Sequence, residues 1–125
     1  MANTSNVKLT IAFIDLDWDD EEKETEAQRL LAEMFELDEV ENVYRPLDPH
    51  PPEGNKALGG VLVGLLTAEV SLGNAKKLCS FLGDRLSGKS IELEVEANGR
   101  KLKVKANSRE ELAAAVEAAQ KFVTG

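Results

Sequence analysis

Residues 7–16, VKLTIAFIDL, alternate in the manner of a strand. Val7, Leu9, Ile11 and Phe13 share one face, while Ala12, Ile14 and Leu16 make the other face apolar toward the end. A strand apolar on both faces belongs inside a sheet. The pattern then changes period. Ala27, Leu30, Leu31, Met34 and Leu37 recur at helical spacing, which predicts an amphipathic helix over residues 20–37. Asp19 is its natural N-cap, with Glu22 three residues on, and acidic side chains suit the positive end of the helix dipole. Residues 40–46, VENVYRP, predict a second strand. Strand, helix and strand in this order imply a right-handed crossover and parallel pairing.

The next apolar stretch is the least ordinary. KALGGVLVGLLTAEV, residues 56–70, is nearly continuous in apolar character. Read as a helix it is apolar all round, which demands burial on more than one side. Gly60, Gly64 and Ala68 then form a stripe of small residues that would let another backbone approach closely. Leu58, Val61, Leu62, Leu65 and Leu72 line the opposite side. One straight helix over 57–86 would be about 45 Å long. The domain itself is only about 35 Å across. Gly73-Asn74 supplies a break, and Ala75, Leu78, Cys79, Leu82 and Leu86 mark a second helix. Two such helices beside two others crowd one sheet face. The expectation is that Gly60, Gly64, Ala68, Leu62, Leu65 and Leu66 leave an apolar surface for a second copy or a partner protein.

Residues 91–106 carry the clearest local signal. Asn98-Gly99 lies between two alternating runs and marks a two-residue hairpin. In that register Glu96 faces Lys101, Glu94 faces Lys103 and Glu92 faces Lys105. Val95, Leu93 and Ile91 face Leu102, Val104 and Ala106. Slipping by one residue would invert both faces, so the register is well specified. One face of this hairpin is wet. Ser108 and Glu111 make a capping box for a last helix, along which Leu112, Ala115, Val116, Ala119, Phe122 and Val123 share a side. The predicted fold is a single α+β domain over 1–125. It has two layers: a four-stranded mixed sheet with helices on one face, in the order strand-helix-strand-helix-helix-hairpin-helix. A proline-rich loop spans 46–56, and the apolar helical segment at 57–86 is broken near 73.

Composition narrows the function. The 125 residues are 42% hydrophobic and 30% charged, which suits a folded globular chain. A net charge of −8 repels nucleic acid and anionic lipid. Glu69 interrupts the apolar run well short of the length a bilayer span needs, so a membrane role is not expected. The single cysteine forms no internal disulfide, and MANTSNVKLT is not a secretory signal, so a cytoplasmic location is the expectation.

Candidate chemistry is sparse. Cys79 and His50 are the only members available for a Cys–His dyad. Cys79 falls on the apolar side of a helix, and His50 sits among prolines. Zinc would need more nitrogen and sulfur ligands than the chain has. Gly59-Gly60 and Gly64 lack the lysine of a phosphate-binding loop. No enzyme and no cofactor are expected. Asp15, Asp17 and Asp19 in the acidic loop 15–20 are the alternative, as oxygen ligands of a divalent-metal or small-ligand sensor. Trp18 in that loop is either a core anchor or an exposed aromatic that seats a partner.

The chain resembles the effector-associated constant component family of small bacterial proteins, in particular its cyanobacterial branch. Asp15-Leu16-Asp17, Val43-Tyr44-Arg45-Pro46 and Pro51-Pro52-Glu53-Gly54-Asn55-Lys56-Ala57-Leu58-Gly59-Gly60 carry the resemblance. So do Leu65-Leu66-Thr67-Ala68-Glu69-Val70, Phe81-Leu82-Gly83-Asp84-Arg85-Leu86 and Ser108-Arg109-Glu110-Glu111. The resemblance implies a non-catalytic accessory of bacterial effector or conflict gene clusters, with an effector protein as partner. It implies no active-site residues. An adaptor that works by protein–protein contact is therefore the reading of the sequence.

Overall fold

The computed structural model describes residues 6–47 and 62–124. Its elements are β1 (Asn6–Phe13), α1 (Asp20–Phe35), β2 (Val40–Tyr44), β3 (Leu65–Ser71), α2 (Leu72–Arg85), β4 (Ile91–Ala97), β5 (Arg100–Ala106) and α3 (Arg109–Thr124). The strands form one sheet in the order β2-β3-β1-β4-β5, and every neighbouring pair is antiparallel.

Two expectations are corrected here. Among the described residues the sheet has five strands, not four, and it is antiparallel, not mixed. Both corrections come from one segment. Residues 65–71 are not helical but form β3, the strand between β1 and β2. β1 and β2 do run the same way, as a crossover requires, but β3 separates them and removes the parallel pairing. Likewise β3 and β4 run together with β1 between them. The first six elements thus have the connectivity and strand order of the ferredoxin-like double split β-α-β arrangement. β5 and α3 extend it at one edge.

Of the helical stretch expected over 57–86, residues 65–71 form β3 and α2 starts at Leu72, while residues 57–61, like most of the expected proline-rich loop at 46–56, lie outside the described residues. Gly73 and Asn74 lie inside its first turn rather than at a break, and Ser71 is the N-cap. Downstream, the predicted spacing holds: Ala75, Leu78, Cys79 and Leu82 are buried. Asp19 and Glu22 form the predicted capping box, with Asp19 Oδ1 accepting from the Glu22 amide at 2.8 Å and Glu22 returning the bond at 2.9 Å. At α3, Ser108 Oγ accepts from the Glu111 amide, while the Glu111 carboxylate accepts from Asn107 instead of Ser108.

The hairpin register is as read: Glu92, Glu94 and Glu96 face Lys105, Lys103 and Lys101. Asn98 and Gly99 both have positive φ, 55° and 76°, the backbone that a two-residue turn of this hand demands. One sheet face carries Val7, Leu9, Ile11, Leu66, Ala68, Val70, Leu93 and Val95, all buried under the helices. The other face is polar, as expected for a sheet covered on one side. Thr10 and Thr67 share a hydroxyl hydrogen bond of 2.9 Å there, which satisfies the buried Thr67 hydroxyl.

Candidate interaction surface

The residues singled out for interaction are scattered by the strand. Ala68 and Leu66 point into the core at 0% exposure, so neither offers a surface. Leu65 begins β3 on the opposite face and is half-buried. Leu62 is half-buried before the strand, and its carbonyl accepts from Arg45 Nη2 at 3.0 Å. Gly60 lies outside the described residues. Gly64 and Ala68 share no helical stripe, because the period over the described residues is two, not four. Residues 65–71 therefore contribute no surplus of apolar helix to self-association.

Gly64 has a different task. It occupies the turn into β3 with φ of 75°, and a β-carbon there would lie 3.1 Å from Lys23 Cβ. Its N–H donates to Glu24 Oε1 at 3.2 Å, and its carbonyl accepts from the Phe13 amide. A Gly64→Leu variant therefore strains the turn and pushes against α1. We expect a loss of about 2 kcal/mol, a fall in Tm of roughly 8 °C, measured by thermal circular dichroism. An unchanged Tm with an altered oligomeric state would restore the stripe.

Arg45 holds this turn in place. Its Nη1 and Nη2 bond both oxygens of Glu24 at 2.6 Å, and Nε donates to the Leu65 carbonyl. The hydrogen bond from Arg45 holds the Glu24 carboxyl down at about 2 against partial burial, helped by the Gly64 amide. A second polar cluster joins α1 to α2. Arg85 bonds Glu33 at 2.6 Å and Glu26 at 3.0 Å, and the bond to Glu33 is the main cause that raises the guanidinium pKa. Cys79 is buried in α2, and burial pushes its thiol up to about 11, away from nucleophilic use. His50 lies outside the described residues.

The acidic loop is tied to its own backbone. Asp15 Oδ1 accepts from the Asp17 amide at 2.9 Å, and Asp19 caps α1. Among the described residues no three acidic, histidine or cysteine side chains converge to hold a metal ion. Trp18 is half-buried and packs on the core, its ring centroid 6.1 Å from that of Phe13. Among the described residues no helix is long and apolar enough to cross a membrane.

The sheet edges remain. β2 is short, and its pairing with β3 shifts register between Val40 and Asn42, which blunts that edge. β5 is the other edge, seven residues long and regular. The two-residue turn makes Ala97–Arg100 a hydrogen-bonded pair, and such pairs alternate along an antiparallel ladder. Lys101, Lys103 and Lys105 therefore fall in the non-bonded pairs. Their N–H and C=O groups point away from β4, along an edge that no strand pairs with among the described residues. Their side chains are exposed on the polar face. Beside this edge runs a shallow groove of about 340 Å³, lined by Val104, Lys105, Glu111, Ala114, Ala115 and Ala118. Alanines on α3 keep it open. A larger open groove of about 830 Å³ lies between α2 and α3, but Asp84, Arg109 and two serines line it with no reactive pairing.

The β5 edge was missed in the sequence, where its lysines read only as partners of the β4 glutamates. Compared with known protein families, curated proteins and solved structures, the chain matches none.

Proposed function

We propose that the protein is a non-catalytic protein–protein interaction module that binds its partner at the free edge of β5. One observation carries this reading: a regular seven-residue edge strand with three outward N–H and C=O pairs borders an alanine-lined groove. Strand addition to such an edge supplies backbone hydrogen bonds, while the neighbouring groove takes alternate side chains. Ionisation is consistent with a binding role, since Glu24, Cys79 and Arg85 all serve the packing of the fold. In the setting that the family resemblance suggests, the chain is an accessory component of a bacterial effector system and the partner is an effector.

Lys103→Pro tests the proposal. Proline removes an N–H that faces away from β4, so the hairpin keeps its ladder, and edge strands tolerate proline at such positions. Affinity capture from source cells with both forms, read by mass spectrometry, should give at least one protein retained by the wild type and lost by the variant. Thermal unfolding of the variant should remain cooperative. Identical sets of retained proteins would overturn the proposal.

A further inference from the structure

We infer that the β5 edge selects an extended peptide in which acidic residues alternate with apolar ones. This rests on the interaction reading above and adds the chemistry of the partner. In a strand added to β5, residues opposite Lys101, Lys103 and Lys105 place their side chains on the polar face of the sheet. There they meet three lysines. Lys101 Nζ approaches Glu94 at 3.7 Å, whereas Lys103 and Lys105 have no ion pair among the described residues. This is a basic stripe on a chain of net charge −8. β4 already shows what such a stripe accepts, since Glu92, Glu94 and Glu96 face the same lysines from the other side. The intervening residues of the added strand point toward α3, over the groove lined by Val104, Ala114 and Ala118, which suits apolar side chains.

Charge also decides against the simplest rival, a second copy paired edge to edge. Two β5 strands side by side would bring the lysines of one against the lysines of the other, and like charges directly opposite are destabilising. Lysine on an edge strand excludes its own kind. The same lysines admit an acidic strand.

The probes are three blocked, fluorescein-labelled heptapeptides that alternate valine with glutamate, threonine or lysine, titrated by fluorescence anisotropy in about 50 mM salt. The glutamate peptide should bind about tenfold more tightly than the threonine peptide, and the lysine peptide should not bind. The advantage should shrink severalfold in about 0.5 M salt. Lys103→Glu/Lys105→Glu should abolish the preference while the protein still folds, and Lys103→Pro should abolish binding of the glutamate and threonine peptides. Equal affinity for the glutamate and threonine peptides would sink the acidic class but leave strand addition standing. If no peptide binds while Lys103→Pro still loses captured proteins, the interaction reading survives and this inference fails. A concentration-dependent dimer in light scattering that Lys103→Pro dissolves would replace the acidic peptide with a second copy.

Discussion

Ala68→Asp should lower the thermal midpoint at neutral pH by about 12–20 °C, whereas Glu69→Gln, one residue on, should be nearly silent. Ala68 stands at the centre of β3, between Leu9 of β1 and Val43 of β2, with 0% exposure. Its β-carbon points under the helices. A carboxylate placed there has no partner and no water. An uncompensated buried charge costs roughly 3–5 kcal/mol. That is a large share of the 5–15 kcal/mol that stabilises a domain of this size. Glu69 points to the opposite, polar face between Lys8 and Asn42, and is half-exposed. Its change to glutamine should fall within about 0.5 kcal/mol. Far-UV circular dichroism during heating separates the outcomes. If Ala68→Asp melts like the wild type, residues 65–71 do not form the central strand described above.

The same two residues show why this strand was hard to read. From Leu65 onward the alternation is plain: Leu66, Ala68 and Val70 face in, while Thr67, Glu69 and Ser71 face out. Only seven residues carry it, however, and Leu65 weakens it at the outset. The preceding run, GGVLVGL, is apolar at every position and merges with it in a window of helical length. Period cannot separate a buried helix from a buried strand over so short a run. Glycine counted for a stripe was in fact a turn at Gly64, where φ is positive. By contrast, β4 and β5 were legible because charge and apolarity alternate through both strands around Asn98-Gly99. The α1 start was legible because Asp19 and Glu22 satisfy each other within four residues. Strand order was not, since β3 joins β1 and β2 through contacts far apart in sequence. Nor was the candidate surface, because a free edge is a property of the sheet as a whole and not of β5 alone.

Arg45→Met should cost about 3 kcal/mol, and most of that loss should come from what it abandons. The guanidinium is enclosed, with its side chain 15% exposed, and it bonds both oxygens of Glu24, itself 13% exposed. Removing it strands a carboxylate beside the turn and leaves the carbonyls of Leu62 and Leu65 without this donor. Glu24→Met alone strands the arginine instead. The double variant strands neither, so it should be more stable than the sum of the two single losses implies, by at least 1 kcal/mol. Urea unfolding of the four forms measures this, and simple additivity would mean that the pair is not the clamp described. pH gives an independent readout. The Glu24 carboxyl ionises near 2 when folded and near its usual 4.5 when unfolded. Between those values the unfolded chain binds more protons, so stability from this pair rises with pH through that window. It is fully present above about pH 5 and is lost as pH falls toward 2. The wild type should therefore exceed Arg45→Met by its full margin at pH 7, and the gap should narrow on acidification. A gap that stays constant from pH 7 to 3 would assign the loss to packing of the arginine stem rather than to its charge.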